Sequence, residues 1–223
     1  MPLTIAIDGP VGAGKSTISD VVAQRLGILH LDTGAMYRAV GLCALEKGID
    51  LQDETAVSRM CENGEAQVSV EYENGAQRTL LNGRDVTGLI RTQEVGQAAS
   101  AVSRYPTVRR ILVRRQQEMA KSQSMLLDGR DIGTVVLTDA TVKIYLTASA
   151  EARARRRMLQ LQEKGDTTPF ETILAEVNAR DYQDMHRETD PLRQAEDAIL
   201  VDSSDLSFDE TVDAILALVE ERK

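Results

Sequence analysis

The order of elements along the chain predicts an α/β fold, with a parallel sheet and helices on both faces. Short apolar runs of four to six residues alternate with longer stretches in which apolar residues recur every three or four positions. The short runs are typical of buried strands and the longer period is typical of amphipathic helices. Strands that alternate with helices form parallel sheets because each helix returns the chain to the same sheet edge. The length of 223 residues, 42% of them hydrophobic, is enough to bury one such core.

The individual elements follow from local signals. The first strand covers residues 3–8, and a helix follows from Lys15 to about Leu26, where Gly27 ends it. The other strands are predicted at 28–32, 125–128, 142–146 and 199–202. Further helices are predicted after residue 34, at 93–103, at 107–121, in the Arg-rich region between the last two strands, and at 209–220, where Ser207 is the predicted cap.

Residues 64–88 differ from the rest of the chain. Val68, Val70 and Tyr72 alternate with polar residues, which is the two-residue period of a half-exposed strand. Asn74-Gly75 is a strong hairpin signal, and Asn82-Gly83 marks a second turn. An antiparallel hairpin does not belong in a parallel sheet, so we predict a small separate insert here.

Composition narrows the class of protein. The formal net charge is −9 and the isoelectric point is near 4.9, which disfavours binding to nucleic acid. No apolar stretch approaches the roughly 20 residues of a membrane span, and no signal peptide is visible. Cys43 and Cys61 have no metal or redox spacing and suit a reducing compartment. We therefore expect a cytoplasmic protein.

The first loop carries the strongest motif. Gly9, four residues, then Gly14-Lys15-Ser16 form a P-loop placed between a predicted strand and a predicted helix. Backbone N–H groups of such a loop and the helix N-terminus bind phosphate, the lysine reaches the β- and γ-phosphates, and the serine hydroxyl is placed to bind Mg²⁺. The predicted triphosphate-binding residues are Gly9, Pro10, Val11, Gly12, Ala13, Gly14, Lys15, Ser16 and Thr17. The Asn-Lys-x-Asp signature of GTPases and the Leu-Ser-Gly-Gly-Gln signature of transporter ATPases are both absent from the sequence, which leaves mainly small-molecule phosphotransferases.

Arginine is the dominant basic residue, with 20 Arg against six Lys. A guanidinium grips phosphate with two parallel hydrogen bonds, although Arg-rich codon usage explains the excess equally well. Arg130 and Asp131 follow a predicted strand, where α/β sheets bind ligands; a simple loop ion pair is the alternative. Asp128 is a candidate to orient Mg²⁺ through water or to cap the loop.

Two predicted helices carry further clusters of charged residues. Arg153, Arg156 and Arg157 share a helix face, which indicates an anionic partner unless the face is solvated and paired with Glu151 and Glu163. The Gly165–Pro169 segment that follows breaks the helix, as a mobile flap requires. Arg180, Asp184 and Arg187 also share a face, for which a surface salt bridge is the alternative.

At this point the sequence resembles the bacterial cytidylate kinase family over essentially its whole length. The P-loop alone is shared by many families, but the later blocks are specific. The blocks that carry the resemblance are Ile7–Ser16, Leu31–Arg38, Ile90–Val95, Asp128–Val136 and Arg153–Gly165. The resemblance implies a P-loop three-layer fold with a five-stranded parallel sheet, as one kinase domain over 1–223. It also implies a monophosphate-binding insert at 62–90 and a flap at 153–170.

The resemblance implies a reaction in which the γ-phosphate of ATP moves to CMP or dCMP, with Mg²⁺ as cofactor and a monomeric enzyme. It places Ser100, Arg109 and Asp131 at cytosine, and Arg180 and Asp184 at the sugar. Arg38, Arg130 and Arg187 would bind the acceptor phosphate, and Thr33, where some members have Ser, would contact it as well. The flap arginines 153–157 would close over ATP. The implied catalytic residues are Lys15, Arg130, Arg153 and Arg157.

Two alternatives stay open at this level. One is a kinase for another small acceptor, such as uridylate, adenylate or shikimate, which would not gather Ser100, Arg109 and Asp131 around a base. The other is a binding protein that signals through its nucleotide state, which would turn ATP over slowly and without dependence on a monophosphate.

Overall fold

The structure, a computed structural model, describes residues 2–163 and 165–222. Its main sheet has five strands in the order β2-β6-β1-β7-β8, and the pairs β1–β6, β1–β7 and β7–β8 are parallel. These strands are β1 (Thr4–Asp8), β2 (Leu29–Asp32), β6 (Met125–Gly129), β7 (Val142–Thr147) and β8 (Ile199–Asp202). The remaining strands form a separate antiparallel sheet of β3 (Val68–Glu73), β4 (Ala76–Leu81) and β5 (Arg84–Asp85). The predicted fold class is therefore confirmed.

Eight α-helices lie in the described part of the chain. They are α1 (Lys15–Leu26), α2 (Thr33–Glu46), α3 (Glu54–Glu62), α4 (Gln93–Val102), α5 (Pro106–Ser122), α6 (Ala150–Gln162), α7 (Phe170–His186) and α8 (Phe208–Glu220). A 3₁₀ turn at Leu89–Arg91 and a π-helical turn at Ile132–Val136 complete the list. Helix α3 was not predicted, although the sequence carries its N-terminal signal: Asp53 caps the helix by accepting a hydrogen bond from the Ala56 N–H.

The chain divides into two compact units, one of Met1–Ile28 with Ser124–Lys223 and the other of Leu29–Gln123. In the first unit, the buried side chains of β1, β6, β7 and β8 pack against α1 and α8 in one hydrophobic core. Ile5 and Ile7 face this core, and Ala6, whose side chain points to the opposite face of the sheet, is also fully buried. Both faces of β1 are thus covered, as expected for a parallel sheet.

The ends of the helices in the first unit follow predicted signals. Gly27 has φ +66° and its N–H bonds to the carbonyls of Ala23 and Gln24, which ends α1. Ser207 caps α8 and forms a reciprocal capping box with Glu210. A small separate cluster around Ala154, Ile173 and Val177 joins α6 to α7. The predicted flap at 153–170 covers parts of both helices and includes Lys164, which lies outside the described residues.

In the second unit, α2 packs against α4, and the hairpin β3–β4 packs against α2 and β2. Asn74 and Gly75 both have positive φ, +52° and +82°, which is the conformation of a tight type I′ hairpin turn. The strands pair in register, with Tyr72 directly opposite Gln77. The predicted hairpin is confirmed, and the structure shows that it packs against α2 and β2.

Candidate active site

The loop after β1 adopts the conformation that phosphate binding requires. A Cβ atom on Gly9 would lie 1.9 Å from the Leu146 carbonyl oxygen, so only glycine fits there. Gly14 has φ +85° and leads directly into α1. The Lys15 ammonium donates hydrogen bonds of 2.8 Å to the carbonyls of Gly9 and Pro10, which holds it inside the loop. The backbone thus curls around a buried cation beside a helix N-terminus.

Burial and, after it, the nearby positive charge of Arg130 lower the pKa of Lys15 to about 7. The carboxylates of Asp128, Asp184 and Asp8 act in the opposite direction but do not compensate. An anion arriving in the loop would favour the charged ammonium. The loop is therefore electrostatically prepared for a polyphosphate.

Ser16 is the predicted Mg²⁺ ligand, and Asp128 is the candidate to orient the ion through water. The Ser16 hydroxyl donates a 2.9 Å hydrogen bond to the Asp128 carboxylate, and Asp128 is almost fully buried at the end of β6. A hydroxyl and a carboxylate are hard oxygen ligands of the type that Mg²⁺ prefers. The residue after Ser16, Thr17, is exposed on α1.

The sequence analysis missed Asp8, the last residue of β1. Its carboxylate is buried and accepts 2.7 Å hydrogen bonds from the N–H groups of Ile132 and Gly133. Burial raises its pKa to about 6 despite these two bonds, and the nearby Asp131 carboxylate also raises it. Asp8 thus ties the strand before the P-loop to the loop that carries Arg130 and Asp131. Its position directly before the P-loop, at the end of a buried strand, was the signal that could have revealed it.

Arg130 and Asp131 do not pair with each other. Arg130 donates a 2.7 Å hydrogen bond to Asp184 on α7, and Asp131 lies 3.5 Å from Arg187. The two neighbours therefore do not form an ion pair with each other, although each takes part in one. Each residue instead joins the loop after β6 to the end of α7.

Asp184 lies at the centre of this charge cluster. Burial alone would raise its pKa, but the charges of Arg130, Arg180 and Arg187 outweigh burial and hold the pKa below its usual value. Asp184 is buried, so the alternative of an exposed surface salt bridge is wrong for this residue. Arg180 is half-buried, and Arg187 also donates two hydrogen bonds to the Asp190 carbonyl. Asp128 and Asp181 also lie near Arg130, and Asp131 lies near Arg187, so the cluster mixes positive and negative charge.

The arginines of α6 differ in their surroundings. Arg153 is buried, and its guanidinium donates to the carbonyls of Ala148 and Val11 and, at 2.6 Å, to Asp181. Arg156 donates to the hydroxyl and carbonyl of Ser203. The predicted pairing with Glu151 and Glu163 on a solvated face is therefore wrong for Arg153.

The other two arginines of α6, Arg155 and Arg157, are exposed. Arg155 lies over the Phe170 ring at 5.4 Å from its centre. Arg157 is exposed and close enough to Asp166 to lower the pKa of that carboxyl slightly, after the hydrogen bonds that Thr168 donates to it. Of the two flap arginines with a predicted catalytic role, Arg153 is thus engaged within the fold and Arg157 faces solvent.

The second unit holds four predicted acceptor residues. Asp32 caps α2 by accepting from the Ala35 N–H, which places Thr33, itself buried, at the first position of the helix. One turn later, Arg38 donates to the carbonyls of Ile90 and Thr92 at 3.0 and 3.3 Å. These contacts hold the Arg38 guanidinium beside the loop that leads into α4.

Ser100 lies on α4 and Arg109 on α5. Arg109 is buried, donates to the Ser103 carbonyl at 3.2 Å and lies over the Tyr37 ring. The Ser100 carbonyl accepts a 3.0 Å hydrogen bond from the Ser103 hydroxyl. These two residues belong to the second unit and Asp131 to the first, so the cytosine-reading trio stays a prediction.

No group of three or more His, Cys, Asp or Glu residues that could hold a metal by themselves is found among the described residues. His30 is buried in β2, and both cysteines are free thiols. In the same part of the chain, no helix is long and apolar enough to cross a membrane.

Comparison with known proteins identifies the family. The family model described as cytidylate kinase matches residues 5–221. The chain belongs to the cytidylate kinase family. Cytidylate kinase of Caldicellulosiruptor saccharolyticus is 48% identical over 216 residues, which cover 97% of this chain and 95% of that protein. Cytidylate kinase of Thermosipho melanesiensis is 46% identical over 222 residues, which cover 100% and 99% of the two chains. That of Pasteurella multocida is 44% identical over 221 residues, which cover 98% and 96%.

Solved structures extend the comparison to the fold alone. A gluconokinase from Sinorhizobium meliloti superposes with a TM-score of 0.50 at 14% identity, covering 99% of this chain and 93% of that one. An uncharacterized protein from Eubacterium ventriosum gives a TM-score of 0.52 at 12% identity, covering 99% of both chains. Family membership therefore rests on sequence, and these structures support the architecture.

Proposed function

We infer that this protein is an ATP-dependent nucleoside monophosphate kinase that transfers the γ-phosphate of ATP to CMP or dCMP, which gives ADP and CDP or dCDP. The observation that carries this inference is family membership along essentially the whole chain, at 44–48% identity to the three cytidylate kinases above. The P-loop accounts for the donor, since its buried lysine and helix N-terminus suit a triphosphate.

The arginine clusters account for a second anionic ligand. Arg130, Arg180 and Arg187 gather around the buried carboxylate of Asp184, and we propose that their guanidiniums also bind an acceptor phosphate. We propose that Arg38 and Thr33 bind that phosphate from the second unit, and that Ser100, Arg109 and Asp131 read cytosine. Asp184, held ionised, can accept hydrogen bonds from ribose hydroxyls. These assignments come from the family resemblance and are compatible with the contacts of each residue in its own unit.

The mechanism needs no strong general base. A phosphomonoester has a second pKa of about 6, so the acceptor oxygen is already ionised at neutral pH. Catalysis then consists of in-line positioning and neutralisation of charge by Lys15 and arginines. We propose that residues 153–170 close over ATP and exclude water, which limits wasteful hydrolysis.

We further propose Mg²⁺ as the cofactor. The Ser16 hydroxyl and Asp128 carboxylate form a hard-oxygen pair 2.9 Å apart beside the phosphate loop, which fits Mg²⁺ held mostly by phosphates and water. When bound, the ion would neutralise charge on the β- and γ-phosphates.

The finer organisation is also a proposal. We propose one kinase domain over 1–223, with residues 62–90 as its monophosphate-binding insert. The free thiols of Cys43 and Cys61 support a cytoplasmic setting, where thiols stay reduced. We propose a monomer, which light scattering of the purified protein would test.

One assay tests the reaction and its acceptor. ADP release from ATP is measured with Mg²⁺ and, in separate reactions, CMP, dCMP, UMP, AMP, shikimate or no acceptor. We expect rapid release with CMP and dCMP and slow release without an acceptor. Faster turnover with shikimate or AMP would assign another acceptor, and slow turnover that ignores every acceptor would favour a nucleotide-gated binding protein.

A further inference from the structure

Side chains of the hairpin insert form hydrogen bonds with the main chain of β2, directly before the start of α2. In β4, Gln77 accepts a 2.7 Å hydrogen bond from the Asp32 N–H through its amide oxygen. Its amide nitrogen donates to the Asp32 carbonyl at 3.3 Å and to the Thr79 hydroxyl at 3.2 Å. The orientation of the amide follows from chemistry, because an N–H can only donate and a carbonyl can only accept.

A second contact lies beside the first. The Tyr72 hydroxyl donates a 3.0 Å hydrogen bond to the His30 carbonyl. Tyr72 and Gln77 are directly opposite each other in the hairpin register, and His30 and Asp32 are two residues apart on β2. One cross-strand pair of the insert thus holds two residues on the same side of β2.

The main chain of Asp32, which Gln77 holds, sets the start of α2. Asp32 is the N-cap of that helix, so the position of its main chain determines where Thr33 begins the helix and where Arg38 lies one turn later. The Asp32 side chain has other partners, the Ala35 N–H at 3.0 Å and Arg91 at 3.4 Å. The Gln77 side chain thus holds both main-chain polar groups of Asp32.

We propose that Gln77 is a positioning residue for the acceptor monophosphate, acting through Asp32 on Thr33 and Arg38. This inference rests on the proposed function, in which Thr33 and Arg38 bind the acceptor phosphate. It gives the insert a role in substrate binding without direct contact between Gln77 and the nucleotide. Since a displacement of about 1 Å at a binding group weakens binding strongly, loss of the double contact raises the KM for CMP.

The test compares three variants of the purified full chain. Gln77→Met keeps the length of the side chain and removes both hydrogen bonds; Gln77→Glu keeps an acceptor for the Asp32 N–H and loses the donor. Glu71→Gln, on an exposed position of the same hairpin, is the matched control. The KM values for CMP and ATP, kcat and the melting temperature are measured for each.

We expect Gln77→Met to raise the KM for CMP about tenfold and to leave the KM for ATP within about twofold of wild type. Gln77→Glu should give a smaller increase, and Glu71→Gln should give none. Unchanged KM for CMP in a folded Gln77→Met protein would overturn the proposal, as would equal increases for both substrates. If Gln77→Met does not fold, an unchanged KM for CMP in Gln77→Glu overturns it as well. A wild type that ignores CMP altogether would instead refute the proposed function.

Discussion

Ser16 on the P-loop helix and Asp128 at the end of the neighbouring strand β6 are joined by a 2.9 Å hydrogen bond. Asp128 is nearly fully buried, so its carboxylate cannot simply turn to solvent. The bond orients the Ser16 hydroxyl and places two oxygen ligands side by side at the phosphate loop. This pair is the basis of the first prediction.

Asp128→Asn should raise the Mg²⁺ concentration for half-maximal activity about tenfold, because loss of a partner that orients a metal ligand typically weakens metal affinity 10- to 100-fold. The measurement is a Mg²⁺ titration at saturating ATP and CMP. Asp205→Asn, at an exposed position after β8, is the control and should match wild type. A wild-type Mg²⁺ profile in Asp128→Asn would exclude a role for this carboxylate at the metal.

ATP binding should take up a proton at Lys15. Because burial and Arg130 hold the pKa of Lys15 near 7 in the empty loop, most of this ammonium is deprotonated at pH 8. The triphosphate favours the charged form, so binding at pH 8 takes up about one proton and ATP affinity falls as pH rises above 7. Calorimetry in two buffers of different ionisation enthalpy measures the uptake.

The control for that measurement is Lys15→Ala, which removes the titrating group. Uptake that persists unchanged in Lys15→Ala would come from ATP or another residue and would contradict the assignment. The same variant should lose turnover by orders of magnitude while it retains the far-ultraviolet circular dichroism of a folded protein.

Asp184→Asn should lower the free energy of unfolding by about 3 kcal/mol, because it leaves the partly buried Arg130 without its carboxylate partner. It should also raise the KM for CMP, since Arg130 and Arg187 lose the carboxylate charge that attracts both guanidiniums. Urea unfolding and steady-state kinetics measure the two effects. Asp139→Asn, at an exposed position before β7, should change neither quantity; a stable Asp184→Asn with normal CMP kinetics would show that the cluster is dispensable.

Arg153 and Arg157 should respond differently to alanine. Arg153 is buried and bound to Asp181 and to the Val11 carbonyl of the P-loop, so Arg153→Ala should destabilise the fold by about 3 kcal/mol. Arg157 is exposed, so Arg157→Ala should change stability by less than about 0.5 kcal/mol. If Arg157 reaches the transferring phosphate after flap closure, kcat should fall about 100-fold.

Melting curves and kcat are measured for both arginine variants to test these two effects. Full activity in Arg157→Ala would remove this residue from the catalytic machinery. An Arg153→Ala protein as stable as wild type would mean that its buried contacts contribute little to the fold.

Gly41→Ala should destabilise the second unit by about 1–3 kcal/mol, since a Cβ there would lie 2.8 Å from the Ala99 nitrogen and 3.0 Å from Ala98. Helices α2 and α4 cross at this point without room for a methyl group. Gly88→Ala is the matched control, because a Cβ at Gly88 meets nothing within 4 Å. Equal unfolding midpoints for the two variants in urea would contradict this account of the crossing.

The sequence alone determined the architecture of this protein. Apolar strand runs, the Gly27 and Ser207 helix signals and the Asn74-Gly75 turn each act over a few residues, so they can be recognised from spacing. The same holds for the P-loop, whose glycines and lysine are contiguous. Helix α3 was missed, although its N-cap Asp53 and its buried pair Val57 and Met60, three positions apart, are local signals of the same kind.

The partners of charged residues could be decided only by the tertiary structure. Neighbours in sequence suggested an Arg130–Asp131 pair and a solvated Arg153, but the fold joins Arg130 to Asp184 and Arg153 to Asp181 across 54 and 28 positions. Asp8 and Gln77 belong to the same class, since their importance lies in main-chain groups that they meet after folding. Periodicity records which face of an element is buried; it carries no information about which distant charge or N–H group that face will meet.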